Sequence, residues 1–258
     1  MDNSEQEKEI NDLSDFNSRL IERIGLFYLP SWKNISKYEF YKKDDGYIIK
    51  KIHDMQSNVS YRSATMILYK QFDIFKPVIS QIEAATFCFF EKNYIATCFT
   101  LAPIVDGLLL QWNKGKDIAK KSERDIFLDK KINEISGKHN NNVYVSCELN
   151  LLRCFINKYF ERYTNNEKAI DFNRNRLAHL LKATNNDECF IYSLHLLGVL
   201  DLIVWCYSYE FPYKDGINDF NWHQKVCEEH KTDFLYYYEL FSVCNKYAKF
   251  DNIIGKKA

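Results

Sequence analysis

Proline and glycine are scarce, at 4 and 8 residues in 258. A many-stranded fold needs tight turns at short intervals, and so few turn-forming residues leave little room for one, which favours helices. Net charge is also absent: 35 Lys and Arg balance 35 Asp and Glu, which argues against a protein that simply coats nucleic acid. The eight cysteines contain no Cys-x-x-Cys pair. Scattered over apolar stretches, they are expected to act as small hydrophobes and to stay reduced. There is no glycine-rich phosphate loop, no Gly-x-Ser-x-Gly elbow and no metalloprotease histidine pair. The acidic N-terminus lacks the apolar core of a secretory signal. The longest apolar region, 194–209, contains His195 and Asp201 and reads as too short and too polar for a membrane span. A soluble, cytoplasmic protein with no membrane association is expected.

What is present is hydrophobic, 46% of residues with 16% aromatic, and patterned as helices. A first amphipathic helix is expected over 15–29 through Phe16, Leu20, Ile24 and Phe27, ended by Pro30. No clear period runs through 31–60, where Tyr47-Ile48-Ile49 could be a short strand or merely an apolar contact. Pro77 opens a helix through Ile79, Ile82, Phe87 and Phe90. The next helix, 94–112, is long and apolar, with Pro103 expected to kink it just before Asp106 and Gly107 expected to allow close helix approach. Ser122-Glu123-Arg124-Asp125 resembles a capping box for a helix ending at Gly137. Helices over 146–163 and 187–209 follow, the latter the most hydrophobic and the expected central core element. One or two aromatic helices come after residue 218. The domain reading is an N-terminal helical or irregular region over 1–76, a helical core over 77–210 and a C-terminal helical extension over 211–258, together one compact unit.

The stretch Asn173-Arg174-Asn175-Arg176-Leu177-Ala178-His179 concentrates chemistry. Asp171 is a plausible N-cap for a helix from Phe172 through Leu181. On it, Asn175 and His179 share a face, while Arg174 is displaced by roughly 140° from His179 and needs its long side chain to reach the same place. Arginine presents a planar fork of donors matched to phosphate oxygens, and histidine both accepts and donates a proton near neutrality. Such a set suits phosphodiester chemistry without a metal or other cofactor. The surroundings are locally basic: 153–182 holds seven Lys or Arg against three acids, so Arg162, Arg176 and Lys182 are candidate RNA-binding residues. A second basic run, 114–138, has eight against five and reads equally well as a solvated helix face.

The segment from Phe172 to His179 resembles the signature of the HEPN superfamily, small α-helical domains in which Arg, a polar residue, a few variable positions and His form an RNase site. Leu180 stands where several related sequences have glycine. Upstream, the run from Asn93 to Leu109 is similar to the family helix that carries an acidic residue toward the same pocket, and Asp106 occupies that position. The resemblance covers residues 77–210. It implies an all-α HEPN-like bundle, a catalytic set of Arg174, Asn175, His179 and Asp106, RNA as substrate, and a homodimer in which two motif helices meet across a two-fold axis. It further implies a toxin or phage-defence effector, with an antitoxin or defence-system protein as a possible partner.

Three other readings compete. His223, Cys227 and His230 lie at helical spacings that could present two imidazoles and a thiolate to zinc, although no fourth ligand stands nearby. The chain could instead be a HEPN-like module that binds RNA or a nucleotide without cutting it. It could also be a helical interaction protein that holds a partner through its aromatic C-terminal region.

Overall fold

The computed structural model describes residues 3–27, 43–139, 143–160, 186–211 and 222–254. Among them the protein is all-α, with ten α-helices, one short 3₁₀ turn and no strand. The helices are α1 (Asn3–Ile24), α2 (Asp45–Gln56), α3 (Val59–Lys70), α4 (Ile79–Phe90), α5 (Tyr94–Trp112), α6 (Lys121–Lys138), α7 (Val143–Tyr159), α8 (Asn186–Glu210), α9 (Trp222–Glu229) and α10 (Lys231–Ile254).

Local chemistry accounts for several helix starts. The side chains of Asp44, Asn58 and Asn93 accept the N–H groups of Tyr47, Tyr61 and Ala96, satisfying first-turn donors that have no partner within the helix. The Asp44 cap also settles Tyr47-Ile48-Ile49. These residues are helical, because the cap starts a turn at Asp45 and the buried pair Ile48 and Ile52 then falls on one face. The Ser122 box does not form: α6 starts at Lys121, behind Lys120, with no side-chain cap. Lys76–Val78 make a 3₁₀ turn that carries Pro77 ahead of α4. α5 runs unbroken through Pro103, and the Ala102 carbonyl beside the proline accepts the Tyr159 hydroxyl at 3.1 Å. Gly107 is not needed for close approach, since a Cβ there would meet no described atom within 4 Å. The glycine that serves this purpose is Gly198 on α8, where an added Cβ would stand 3.2 Å from the Phe27 ring.

α8 is the axis of the molecule. Every residue from Tyr192 to Cys206 is buried, as expected for a helix apolar on all sides and covered on all sides. It packs on α5, α7, α2, α6 and α3. α1 covers α7, while α9 and α10 cover α3, with α10 also lying against α4. The buried apolar residues form one cluster that runs from Phe16 on α1 to Cys244 on α10. By length and composition, α5 and α8 could each cross a membrane, which corrects the reading of 194–209 as too short. The most apolar window of α8 is 89% buried inside the protein and that of α5 50%, and core helices pass the same test.

Candidate functional site

Of the residues singled out in the sequence, Arg162, Arg174, Asn175, Arg176, His179 and Lys182 lie in 161–185, outside the described residues. Asp106 is described, half-buried on α5. The flanks of 161–185 are both tied to that same helix. On the N-terminal side, buried Tyr159 donates its hydroxyl to the Ala102 carbonyl, the carbonyl to which an α-helix pairs the N–H of residue 106. On the C-terminal side, the Asn186 side chain accepts the Tyr94 N–H at 3.2 Å and donates to the Lys92 carbonyl at 3.3 Å. The two anchors thus engage α5 at its first residue and eight residues later, about 12 Å along the axis, with Asp106 one turn beyond the second.

The second basic run proves only partly solvated. Arg124 and Lys131 are buried at 5% and 7% exposure. Arg124 donates to Asn157 and to the carbonyls of Ile118 and Ala119, closing the loop before α6. Lys131 reaches both Glu210 oxygens at 2.6 Å, and Trp112 Nε1 donates to the same carboxylate at 2.6 Å. In the first run, Arg153 pairs with Asp129 across α7 and α6.

Three buried polar sites escaped the sequence reading. At the centre, Asp201 of α8 pairs with Arg62 of α3. Asp201 Oδ2 also accepts from Tyr61 at 3.0 Å and Gln56 at 3.3 Å, and Oδ1 accepts from Tyr69 at 2.6 Å. Burial and then the Asp201 charge hold the Tyr69 phenol well above its usual range, so it remains a donor. Glu148 of α7 is buried and accepts from Tyr209 of α8 at 2.8 Å; burial pushes its carboxyl up to about 7. His195 donates from Nδ1 to the Gly25 carbonyl, the only role a carbonyl partner allows, and burial lowers it to about 3. The visible signal for these sites was polarity inside an apolar run, as at Asp201 and His195. The space lined by Cys147, Asn150 and Ser14 is about 10 Å³, water-sized at most.

His223's side chain lies outside the described residues, and among those described no three His, Cys, Asp or Glu side chains gather as a metal site. Burial and then Glu228 push the Cys227 thiol up to about 11. A groove of about 520 Å³ lies between α4 and α10. No family model, no curated protein and no solved structure matches the chain.

Proposed function

We propose that the protein is a metal-independent endoribonuclease of HEPN type, a cytoplasmic toxin or phage-defence effector that works as a homodimer. The observation that carries this reading is the frame around the Arg174 to His179 motif. The motif lies in a stretch whose two flanks are held by Tyr159 and Asn186 to the helix that bears Asp106. An arginine, a histidine and a carboxylate can together supply charge stabilisation, proton transfer and positioning for phosphodiester cleavage.

In this reading His179 takes the proton from the ribose 2′-hydroxyl or returns one to the leaving oxygen, and two copies across the dimer divide those roles. The 2′-oxygen forms a bond to phosphorus as the bond from phosphorus to the 5′-oxygen breaks. Arg174 stabilises the charge developing on the phosphorane, Asn175 holds an oxygen or fixes the imidazole, and Asp106 orients Arg174. Arg162, Arg176 and Lys182 bind backbone phosphates of the RNA. An antitoxin or defence-system protein would restrain the activity. The direct experiment incubates purified protein with total RNA beside a His179→Ala control. Cleavage by the wild type alone supports the reading, and equal cleavage by both sinks it. Salt-dependent RNA binding that leaves the RNA intact would select the non-catalytic module instead.

A further inference from the structure

The groove between α4 and α10 belongs to none of this chemistry. On α10 it is lined by Tyr236, Glu239, Leu240, Val243 and Cys244, the i, i+3, i+4, i+7, i+8 stripe of a single helix face. Phe87 and Glu91, one turn apart on the α4 side, form the opposite wall. Its large apolar side chains stay open to solvent: Phe87 is 39% exposed, Val243 50% and Tyr236 53%. Scattered apolar residues on a surface are ordinary, but a contiguous apolar trough marks a place for something to bind.

The walls are held rigidly. Phe241 stacks on Phe90 at 5.0 Å between centroids, and Lys70 pairs with Asp233 at 3.2 Å. Glu83 accepts the hydroxyls of Tyr236 at 3.0 Å and Tyr237 at 3.3 Å. A groove fixed in this way loses little entropy when it is filled.

Charge decides the occupant. Among the described residues, both polar side chains that line the groove beside Tyr236 and Cys244 are carboxylates, Glu91 and Glu239, and no described Lys or Arg lines it. Among the described residues neither carboxylate has an ion pair. Burial and then the Glu91 charge push the neighbouring thiols of Cys88 and Cys244 up, so these cysteines stay neutral. A second copy of the same face would set Glu91 and Glu239 against their own likeness, and a nucleic acid backbone would be repelled. A peptide with cations flanking an apolar stripe satisfies both features, because its apolar anchors fill the trough while its cations reach the two acids.

We propose that the α4/α10 groove is the docking site for a basic amphipathic helix of a partner protein. The inference is independent of the ribonuclease reading, since no residue of 161–185 and no part of Asp106 enters it.

The test uses the full chain and two labelled synthetic helices followed by fluorescence anisotropy. Both present leucine and phenylalanine at i, i+4 and i+7, one with flanking lysines and one with flanking glutamates. The lysine-flanked helix should bind saturably and weaken as salt rises. Its affinity should fall about tenfold or more in Glu91→Lys/Glu239→Lys and again in Val243→Ser, each tenfold being about 1.4 kcal/mol. Glu91→Gln/Glu239→Gln, which removes charge with little change of shape, should lie between. Equal binding of the glutamate-flanked helix, no saturable binding of the lysine-flanked one, or indifference to these substitutions would overturn the proposal. So would a dimer, seen by sedimentation, that Val243→Ser disperses, because the groove would then serve a second copy.

Discussion

Arg62 on α3 and Asp201 on α8 form an ion pair with 1% and 0% side-chain exposure, across 139 residues of sequence. Three further donors, from Gln56, Tyr61 and Tyr69, complete the carboxylate. Desolvating two charges is costly, and the four donors on the carboxylate offset part of that cost, while Arg62 Nε is buried without a hydrogen-bond partner among the described residues.

Removing one partner should therefore be severe. Arg62→Met is expected to cost about 3–5 kcal/mol, because it strands a buried carboxylate. Tyr69→Phe should cost less, about 1–3 kcal/mol, since Arg62 still balances the charge. Urea denaturation at neutral pH reads both, and a near-neutral Arg62→Met would show that the pair relaxes into solvent.

Glu148 should make the protein more stable in mild acid than a surface carboxylate would. Its folded pKa, about 7, lies above the ordinary 4.5, so the native state retains a proton that the unfolded chain has lost. The stabilisation is fully present below pH 4.5 and is lost as pH rises toward 7, on the order of 3 kcal/mol in all. Glu148→Gln keeps an acceptor for Tyr209 and should abolish this slope, with its largest gain above pH 7. Denaturation midpoints of the two proteins at pH 4.5 and pH 8 measure it.

His195 acts in the opposite sense. Its folded pKa of about 3 lies below the ordinary 6.5, so acid protonates the unfolded chain first, and stability drains away as pH falls from 6.5 toward 3. Between pH 4.5 and 6.5 the two slopes oppose each other. Wild type should be nearly level there, while Glu148→Gln should expose the acid-side loss alone. A Glu148→Gln profile as level as wild type across that window would contradict the pairing.

On the ribonuclease reading, Arg174→Ala and His179→Ala should each abolish cleavage without lowering the melting temperature by more than a few degrees. Arg174→Lys should also be poor, because an ammonium cannot reproduce the bidentate fork. The products should carry a 2′,3′-cyclic phosphate and a 5′-hydroxyl, and activity should survive EDTA. DNA and RNA with 2′-methoxy at the scissile position should stay whole. End-group analysis that finds a 5′-phosphate would reject the mechanism.

Asp106→Asn separates positioning from chemistry. If Asp106 orients Arg174, kcat for RNA cleavage should fall about tenfold or more while the pH profile set by His179 keeps its shape. An unchanged kcat would remove Asp106 from the site.

The long apolar helices were legible because their signals are local. The bounds of α5 follow from Asn93 and the apolar run after it, and α8 is the core element that its composition suggested. α3 was not legible. It is buried continuously from Arg62 to Tyr69, so it shows no polar face and hence no period. The partners of Asp201 and Glu148 were equally hidden, since hydrophobic patterning marks a buried acid but says nothing about which distant donor will meet it. For the candidate site, the sequence supplied the motif and Asp106, and packing supplied the tethers at Tyr159 and Asn186. Those tethers are pairings of a hydroxyl and an amide with backbone groups, which no residue spacing announces.

The 139-residue reach of the Arg62 and Asp201 pair also bears on how the chain is made. During synthesis α3 leaves the ribosome long before α8, so Arg62 has no anion to enter the interior with. Until α8 arrives, the apolar faces of α2, α3 and α5 lack the helix that covers them. The nascent chain is thus exposed to aggregation and to holdase chaperones until α8 has been made. Contacts so distant in sequence also slow the final closure. A fragment that stops before α8 should be recovered bound to chaperones rather than as a folded body.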